Sequence, residues 1–274
     1  MERSTLYLVP TPIGNLRDIT LRALDVLGAV DLIVCEDTRQ TRKLLSHYRI
    51  GKPLVSCERF SEARKVEGIL EQLQSGKNVA LVSDAGTPAV SDPGFRLIVR
   101  ARERGIRIEA LPGASALITS FSASGFEPPF RFIGFFPRQK EKGENEVMKM
   151  CVSNDATVFY ESPRRLLKTL RSISERLPER AICVAREISK IHEEYLIGTV
   201  TEVLSQVEDR VLKGEITVIV KGSEALDLLD EETLKELARS LLSAGHSKKD
   251  ILCILSQESG FSRNEIYRIL VGLD

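Results

Sequence analysis

The sequence predicts two α/β domains followed by a short helical segment, spanning residues 1–123, 124–222 and 223–274. Three observations carry this. Short apolar runs alternate with amphipathic stretches through the first half of the chain. A second series of such runs begins after Gly125-Phe126-Glu127-Pro128-Pro129, which reads as the inter-domain connection. From Asp230 the composition turns to helix formers. Strands and helices alternating at these lengths point to a mostly parallel sheet covered on both faces.

In the first series, Leu6 to Val9 reads as a strand and Thr20 to Leu27 as a helix with Leu21, Leu24 and Leu27 on one face. Leu32 to Cys35 is a second strand, followed by a helix near Arg39 to Ser46; Leu54 to Ser56 is a third, followed by a helix from Glu62 to Gln74. Val79 to Val82 precedes a helix from Phe95 to Glu103, and Ile106 to Leu111 closes the series. In the second series, Phe132 to Phe136, Thr157 to Tyr160, Ala181 to Ala185 and Glu215 to Val220 read as strands, with helices from Pro163 to Glu175 and Thr201 to Val211 between them. The charged segment Arg138 to Glu146 reads as a solvated loop. Three helices are expected in the tail, Glu231 to Ser243, Lys248 to Gln257 and Arg263 to Val271. Ser247 and Ser262 are suited to N-caps, Ser262 to Glu265 fits a capping box, and Gly245 and Gly260 mark the breaks.

Bulk properties remove several classes of function. The 274 residues are 42% hydrophobic and 28% charged, normal for a globular protein with a sizeable core. Lys plus Arg and Asp plus Glu both number 39, so any contact with nucleic acid must come from local patches rather than a global cationic field. The five cysteines (Cys35, Cys57, Cys151, Cys183, Cys253) form no CxxC pair, and His47, His192 and His246 are far apart, so neither a disulfide framework nor a metal site is expected. Cys35, Cys151 and Cys183 read as core thiols. No apolar stretch approaches the roughly 20 residues that span a bilayer, and nothing resembles a signal peptide; a cytoplasmic location and no membrane partner are expected.

The informative stretch is Val79 to Gly94, VALVSDAGTPAVSDPG. A buried strand runs into a loop of small and acidic residues, in which Gly86 and Gly94 lack a Cβ and Pro88 and Pro93 fix the path. Loops of the same character follow the first, second and fifth strands: Pro10 to Leu16, Glu36 to Arg39 and Pro112 to Ala116. Ligands in open α/β sheets bind beyond the carboxyl ends of the strands, so these exits together build a crevice rim. The usual motifs are missing from it. No GxGxxG, GxxxxGK[ST] or GxSxG occurs, so a standard dinucleotide fold, a P-loop nucleotidase and an α/β-hydrolase elbow are unsupported.

The motifs PTPIGNL, CEDTR, VSDAGTPAVSDPG, PGASA, FYESPRR and AREISK, in this order, resemble those of the tetrapyrrole-methylase-like (class III) methyltransferases, and more narrowly the bacterial branch acting on small-subunit ribosomal RNA. The resemblance runs from about Leu6 to Gly222 and continues weakly into the tail. It implies two α/β domains of the tetrapyrrole methylase type with S-adenosylmethionine in the inter-domain cleft, a homodimer, and 2′-O-methylation of a cytidine ribose in the decoding region of 16S ribosomal RNA within the small subunit. The chain departs from the corrin and porphyrin members at Thr87, where those carry Asp, and from the branch's frequent PGPSA at Ala114. A tetrapyrrole or other small-molecule acceptor, or a non-catalytic ribosome-assembly factor, are the alternative readings.

For the cofactor, the resemblance and the loop chemistry point to Pro12, Gly14, Asp84, Gly86, Thr87, Val90, Ser115 and Ala116, with Tyr160, Ile216 and Thr217 added from the second domain. In-line displacement at an activated sulfonium methyl needs mainly positioning, and a ribose hydroxyl gains from a general base or a nearby cation. Glu36, Asp37, Glu161 and Lys190 are the catalytic candidates; each is equally readable as an inter-domain salt bridge or a helix cap. Arg39, Arg42, Arg164 and Arg165 are candidates for phosphate contacts, since guanidinium matches phosphate geometry and keeps its charge; surface solubility is the alternative. The last two helices have a helix-turn-helix layout with a basic edge of Lys248, Lys249, Arg263 and Arg268, or else form a packing appendage.

Overall fold

A computed structural model describes residues 4–57, 62–223, 231–243, 247–258 and 261–273. The chain divides into two compact units, Met1–Thr119 with Ile188–Ile191, and Ser120–Glu187 with His192–Asp274.

In the first unit the strands β1 (Thr5–Leu8), β2 (Leu32–Cys35), β3 (Leu54–Ser56), β4 (Val79–Leu81) and β5 (Arg107–Ala110) form one sheet in the order β3-β2-β4-β1-β5. Every pairing is parallel, so all carboxyl ends lie along one edge. Alternation along each strand feeds two separate cores. Leu6, Val34, Val79 and Leu81 pack with α3 (Glu62–Gln74) and α4 (Phe95–Glu103) through Leu70, Leu73, Leu97 and Ala101. Val9, Ile33, Cys35, Ala80 and Val82 pack on the other side with α1 (Leu21–Ala29) and α2 (Thr38–His47) through Ala23, Leu27 and Leu45. Burial on both faces is why these strands read as continuous apolar runs. The connection after β1 leads to α1 on one face and that after β4 to α4 on the other; this reversal between neighbouring strands opens the crevice of a doubly wound sheet. The chain leaves β5 through α5 (Ala116–Ser124), which the sequence reading did not separate from the preceding loop.

The second unit holds β6 (Phe130–Phe135), β7 (Ala156–Glu161), β8 (Ala181–Arg186), β9 (Glu194–Thr199) and β10 (Ile216–Val220) in the order β6-β7-β10-β8-β9. Only β6 and β7 run parallel; the other pairs are antiparallel. Helices α6 (Lys140–Val152), α7 (Pro163–Ser174) and α8 (Val200–Glu208) share one core with the sheet, contributing Val147, Leu166, Leu170, Ile173 and Val203 against Phe159, Val184 and Val218. Two expectations are corrected. The segment read as a solvated loop, Arg138 to Glu146, enters α6: Lys140, Glu141, Lys142 and Glu144 are its exposed face, while Gly143 is turned inward against Phe136. The edge strand β9 was not foreseen.

The tail helices α9 (Glu231–Ser243), α10 (Lys248–Glu258) and α11 (Arg263–Val271) bury Leu234, Leu237, Ile251, Leu255, Ile266 and Leu270 in that same core. The Ser262 capping box forms with Glu265, and Ser247 Oγ accepts from Asp250 N at 3.2 Å. Asp230, Gly245, His246 and Gly260 lie outside the described residues, as does the Cys253 side chain. Among the described residues no helix is long and apolar enough to cross a membrane.

Candidate functional site

The strand exits of the first unit are tied to one another mainly through backbone. Thr11 and Gly86 exchange both hydrogen bonds, at 3.0 and 2.9 Å, joining the β1 and β4 loops. The buried Thr11 hydroxyl donates to Ser83 O at 3.0 Å, and Ser83 Oγ donates to Gly86 O at 2.9 Å. Thr87 Oγ1 donates to Ala114 O at 3.2 Å, linking the β4 and β5 loops, and Asp37 N donates to Asp84 Oδ1 at 3.0 Å, linking β2 to β4. All four loops thus form one connected rim. Buried hydroxyls hold it from beneath because an unpaired polar group there would be costly.

Gly86 sits at φ +80°, where an L side chain is strained, and a Cβ would lie 3.3 Å from Ile13 Cγ2 and 3.6 Å from Ala114 O. Gly86 itself is buried and both its backbone groups are paired with Thr11, so the glycine serves the close packing of the β1 and β4 loops. Gly14 differs: a Cβ would run into the Lys190 side chain and the Ile188 carbonyl, so its small size admits the Ile188–Ile191 segment. Ser189 Oγ, at φ +66°, donates to Asp18 in the same unit. Val90 stands exposed on the β4 loop, Ser115 N-terminal to α5 accepts Thr119 N through its carbonyl, and Ala116 is the first residue of that helix. Asp84 reaches solvent; burial against its neighbours raises its carboxyl above the ordinary value, the Asp37 charge adding to this and the Asp37 N–H and Arg39 opposing it.

Asp37, Glu161, Arg39 and Arg165 from the motifs have partners of their own, whereas Arg42 and Arg164 reach solvent. Asp37 caps α2, accepting Arg39 N at 2.8 Å and pairing with the Arg39 guanidinium at 2.7 Å; that hydrogen-bonded pairing pulls its pKa down to about 2. Glu36 lies half-buried beside it, and Arg42 points to solvent from the next turn. In the second unit Glu161 is buried, accepting from Ser162 N and Thr169 Oγ1, both at 2.7 Å, with Arg165 at 3.4 Å. Arg165 also donates to Phe136 O and Pro137 O at 3.0 Å, so it is a strut between α7 and the end of β6, while its neighbour Arg164 is exposed. Ile216 and Thr217 open β10 opposite Glu161 and Tyr160 and are both buried. Tyr160 is half-buried, edge-on to Phe132 and Phe135 at 5.0 and 5.6 Å.

The sequence reading missed Thr11 and Ser83, which carry no charge and reveal themselves only by where their hydroxyls end. It also missed the aromatic group around Tyr160, since Phe132 and Phe135 read as ordinary strand residues.

The profile of the Tetrapyrrole (Corrin/Porphyrin) Methylases matches residues 5–204. The chain is 41% identical over 273 residues to the Ribosomal RNA small subunit methyltransferase I of Bacillus subtilis (strain 168), covering 97% of this chain and 94% of that one. It is 44% identical to the protein of that name from Escherichia coli O157:H7, covering 97% and 94%, and 46% identical to that of Thermotoga maritima, covering 80% and 99%. Solved structures with the same fold include a diphthine synthase (TM-score 0.62, 14% identity, 86% of this chain and 95% of that one) and the cobalt precorrin-4 methyltransferase (TM-score 0.60, 16% identity, 79% and 94%). With its doubly wound first sheet, mixed second sheet and connected strand exits, the chain belongs to the tetrapyrrole (corrin/porphyrin) methylase family, within the ribosomal RNA small subunit methyltransferase I group.

Proposed function

We propose that the protein transfers a methyl group from S-adenosylmethionine to small-subunit ribosomal RNA, and that the acceptor is the 2′-hydroxyl of a cytidine in the decoding region of 16S RNA. The relatives' names support the RNA class; the ribose position and the nucleotide extend from the motif resemblance. The observation that carries the reading is the rim of the first unit, where Thr11, Ser83, Gly86 and Thr87 join the loops after β1, β4 and β5 into one preorganised edge on which Asp84 and Val90 are exposed. Such a cradle suits a ligand held by backbone groups, and the residues assigned to the cofactor are Pro12, Asp84, Gly86, Thr87, Val90, Ser115 and Ala116.

When bound, S-adenosylmethionine supplies an activated methyl on a sulfonium. Transfer of that methyl to a ribose oxygen would release S-adenosylhomocysteine and the hydroxyl proton, for which the protein or water would have to provide an acceptor. The chain's task is then alignment of the two reacting atoms. Asp37, held near pKa 2 by Arg39, is a weak base for that proton, and the Glu161 carboxylate is committed to Ser162, Thr169 and Arg165. Glu36 and Lys190 remain the candidates for proton acceptance and for charge stabilisation of the nucleophile. Pairing of two copies belongs to the same proposal, and sedimentation velocity of the purified chain checks it.

The experiment is transfer of labelled methyl to small ribosomal subunits that lack this modification, followed by nuclease mapping. Label in a single alkali-resistant dinucleotide establishes ribose methylation and locates it. Cofactor binding without transfer to subunits or free RNA would shift the acceptor to a small molecule.

A further inference from the structure

We infer that the end of the second sheet where β6 and β7 finish is a contact surface for single-stranded RNA, with Phe135 as a stacking platform for a base and Arg138, Arg164 and Lys168 as phosphate contacts. This rests on the RNA-methylating reading above and names the surface of the second unit that holds the substrate strand.

The surface begins with an irregularity in β6. Phe132 pairs with Val158 and Phe135 with Tyr160, so three steps along β6 answer two along β7. The extra residue is accommodated by Gly134 at φ +71°. Such a bulge re-aims the side chain that follows. Here it places Phe135 on the same face of the sheet as Tyr160 while Phe136 enters the core against Phe159, their rings 5.0 Å apart. Phe135 keeps 59% of its surface exposed at the last position of the strand. Its ring is steadied edge-on by Tyr160, which in turn meets Phe132 edge-on. A large aromatic held in place by other aromatics, with a face open to solvent, is what a nucleobase stacks on.

Cations stand on the loop that follows it and on the helix tied to that loop. The Arg165 strut ties the first turn of α7, which carries the exposed Arg164, to the carbonyls of Phe136 and Pro137, immediately before the exposed Arg138. Lys168 follows Arg164 by one helical turn on the same face and is exposed as well. Among the described residues no carboxylate pairs with these three. Neighbouring arginines of the unit are neutralised: Arg131 by Glu146, Arg171 by Glu208 and Arg176 by Glu236. Arg138, Arg164 and Lys168 thus keep their charge available beside neutralised neighbours. An exposed aromatic at a strand end, with unpaired cations on the loop that follows and on the helix tied to that loop, offers both a stacking face and phosphate contacts to a single nucleic-acid strand.

The test uses the full-length protein with three readouts: affinity for a labelled single-stranded oligoribonucleotide across a salt series, KM for small ribosomal subunits in methyl transfer, and S-adenosylmethionine affinity by calorimetry. Phe135→Ala is expected to weaken oligoribonucleotide binding and raise the subunit KM by about tenfold, with cofactor affinity unchanged, and Phe135→Trp to restore both. Arg164→Ala with Lys168→Ala should weaken RNA binding and reduce the slope of log affinity against log salt by about 1.4, roughly 0.7 for each lost phosphate contact on a single strand. Unchanged RNA affinity and KM in both variants would overturn the inference. So would weakened cofactor affinity with intact RNA binding in Phe135→Ala, which would make Phe135 a platform for the cofactor's adenine. A wild-type protein that transfers no methyl to subunits would remove the parent reading instead, and oligoribonucleotide binding with and without Phe135 would still decide the surface.

Discussion

The two units solve the task of offering a ligand surface in opposite ways. At the rim of the first unit the polar side chains turn inward: Thr11, Ser83 and Thr87 spend their hydroxyls on carbonyls of the rim loops, which fixes the loop backbones in place. At the corresponding strand ends of the second unit the backbone is covered and the side chains are presented, with Phe135, Arg138 and Arg164 exposed over a buried Glu161–Arg165 pair. The first arrangement suits a small ligand of fixed shape, recognised by preorganised backbone groups. The second suits an extended polyanion, where stacking and charge tolerate some adjustment. The difference also teaches where charged motif residues belong: Asp37 and Glu161 both stand at strand ends, and both hold a helix start in place.

Substitution at Gly86 should separate the two rims most sharply. Gly86→Val forces a β-branched residue to φ +80° and places its side chain against Ile13 and Ala114, so cofactor affinity should fall by about a hundredfold or more while the second unit's binding of oligoribonucleotide persists. Undiminished affinity by calorimetry would remove the cofactor from this loop.

Next comes the buried carboxylate. Glu161→Ala removes the buried carboxylate that accepts from Ser162 N and Thr169 and faces Arg165, and should cost about 3 kcal/mol in denaturant unfolding. A loss of methyl transfer far beyond the loss of folded protein would instead give Glu161 a part in the chemistry.

A smaller effect is expected beneath the first rim. Thr11→Val deletes the donor to Ser83 O within a buried link and should lower stability by about 1 kcal/mol. No change in unfolding midpoint would mean that the Thr11–Gly86 backbone pair alone holds the two loops together.

The smallest effect concerns Asp37. Its folded pKa of about 2 lies below the ordinary carboxylate value, so its stabilising contribution is present above about pH 4 and disappears as pH falls through 2. Asp37→Asn should therefore be slightly less stable than the wild type near neutrality, and the two should converge in acid; a gap that persists at pH 2 would assign the effect to capping geometry rather than charge.

Several elements were legible because their own residues dictate them. The inner strands β2 and β4 are buried on both faces and show it as unbroken apolar runs; α4 and α7 show their amphipathic faces directly. Others were hidden. The amino-terminal part of α6 is charged outside, and its apolar residues Val147, Met148, Met150, Cys151 and Val152 gather at the far end, so the first turns look like solvent-exposed loop. Strand β9 pairs only with β8 and keeps Ile197 exposed, so it lacks a clean alternation. The site divides in the same way. Gly86 could be chosen from composition, because absence of a Cβ is a property of the residue itself. That Gly14 yields its space to Lys190, that Arg165 is a strut while Arg164 is free to meet solvent, and that Phe135 faces outward depend on partners distant in sequence.

What the sequence determined by itself is the two-part α/β plan and the chemistry of the strand exits, since burial periodicity and glycine–proline loops are local properties. Tertiary structure alone decided which polar side chains are consumed in holding loops and helices and which remain available. A hydrogen bond or ion pair between residues such as Thr11 and Ser83 exists only once the sheet has brought the loops together, and that pairing, more than residue type, separates supporting groups from contacting ones.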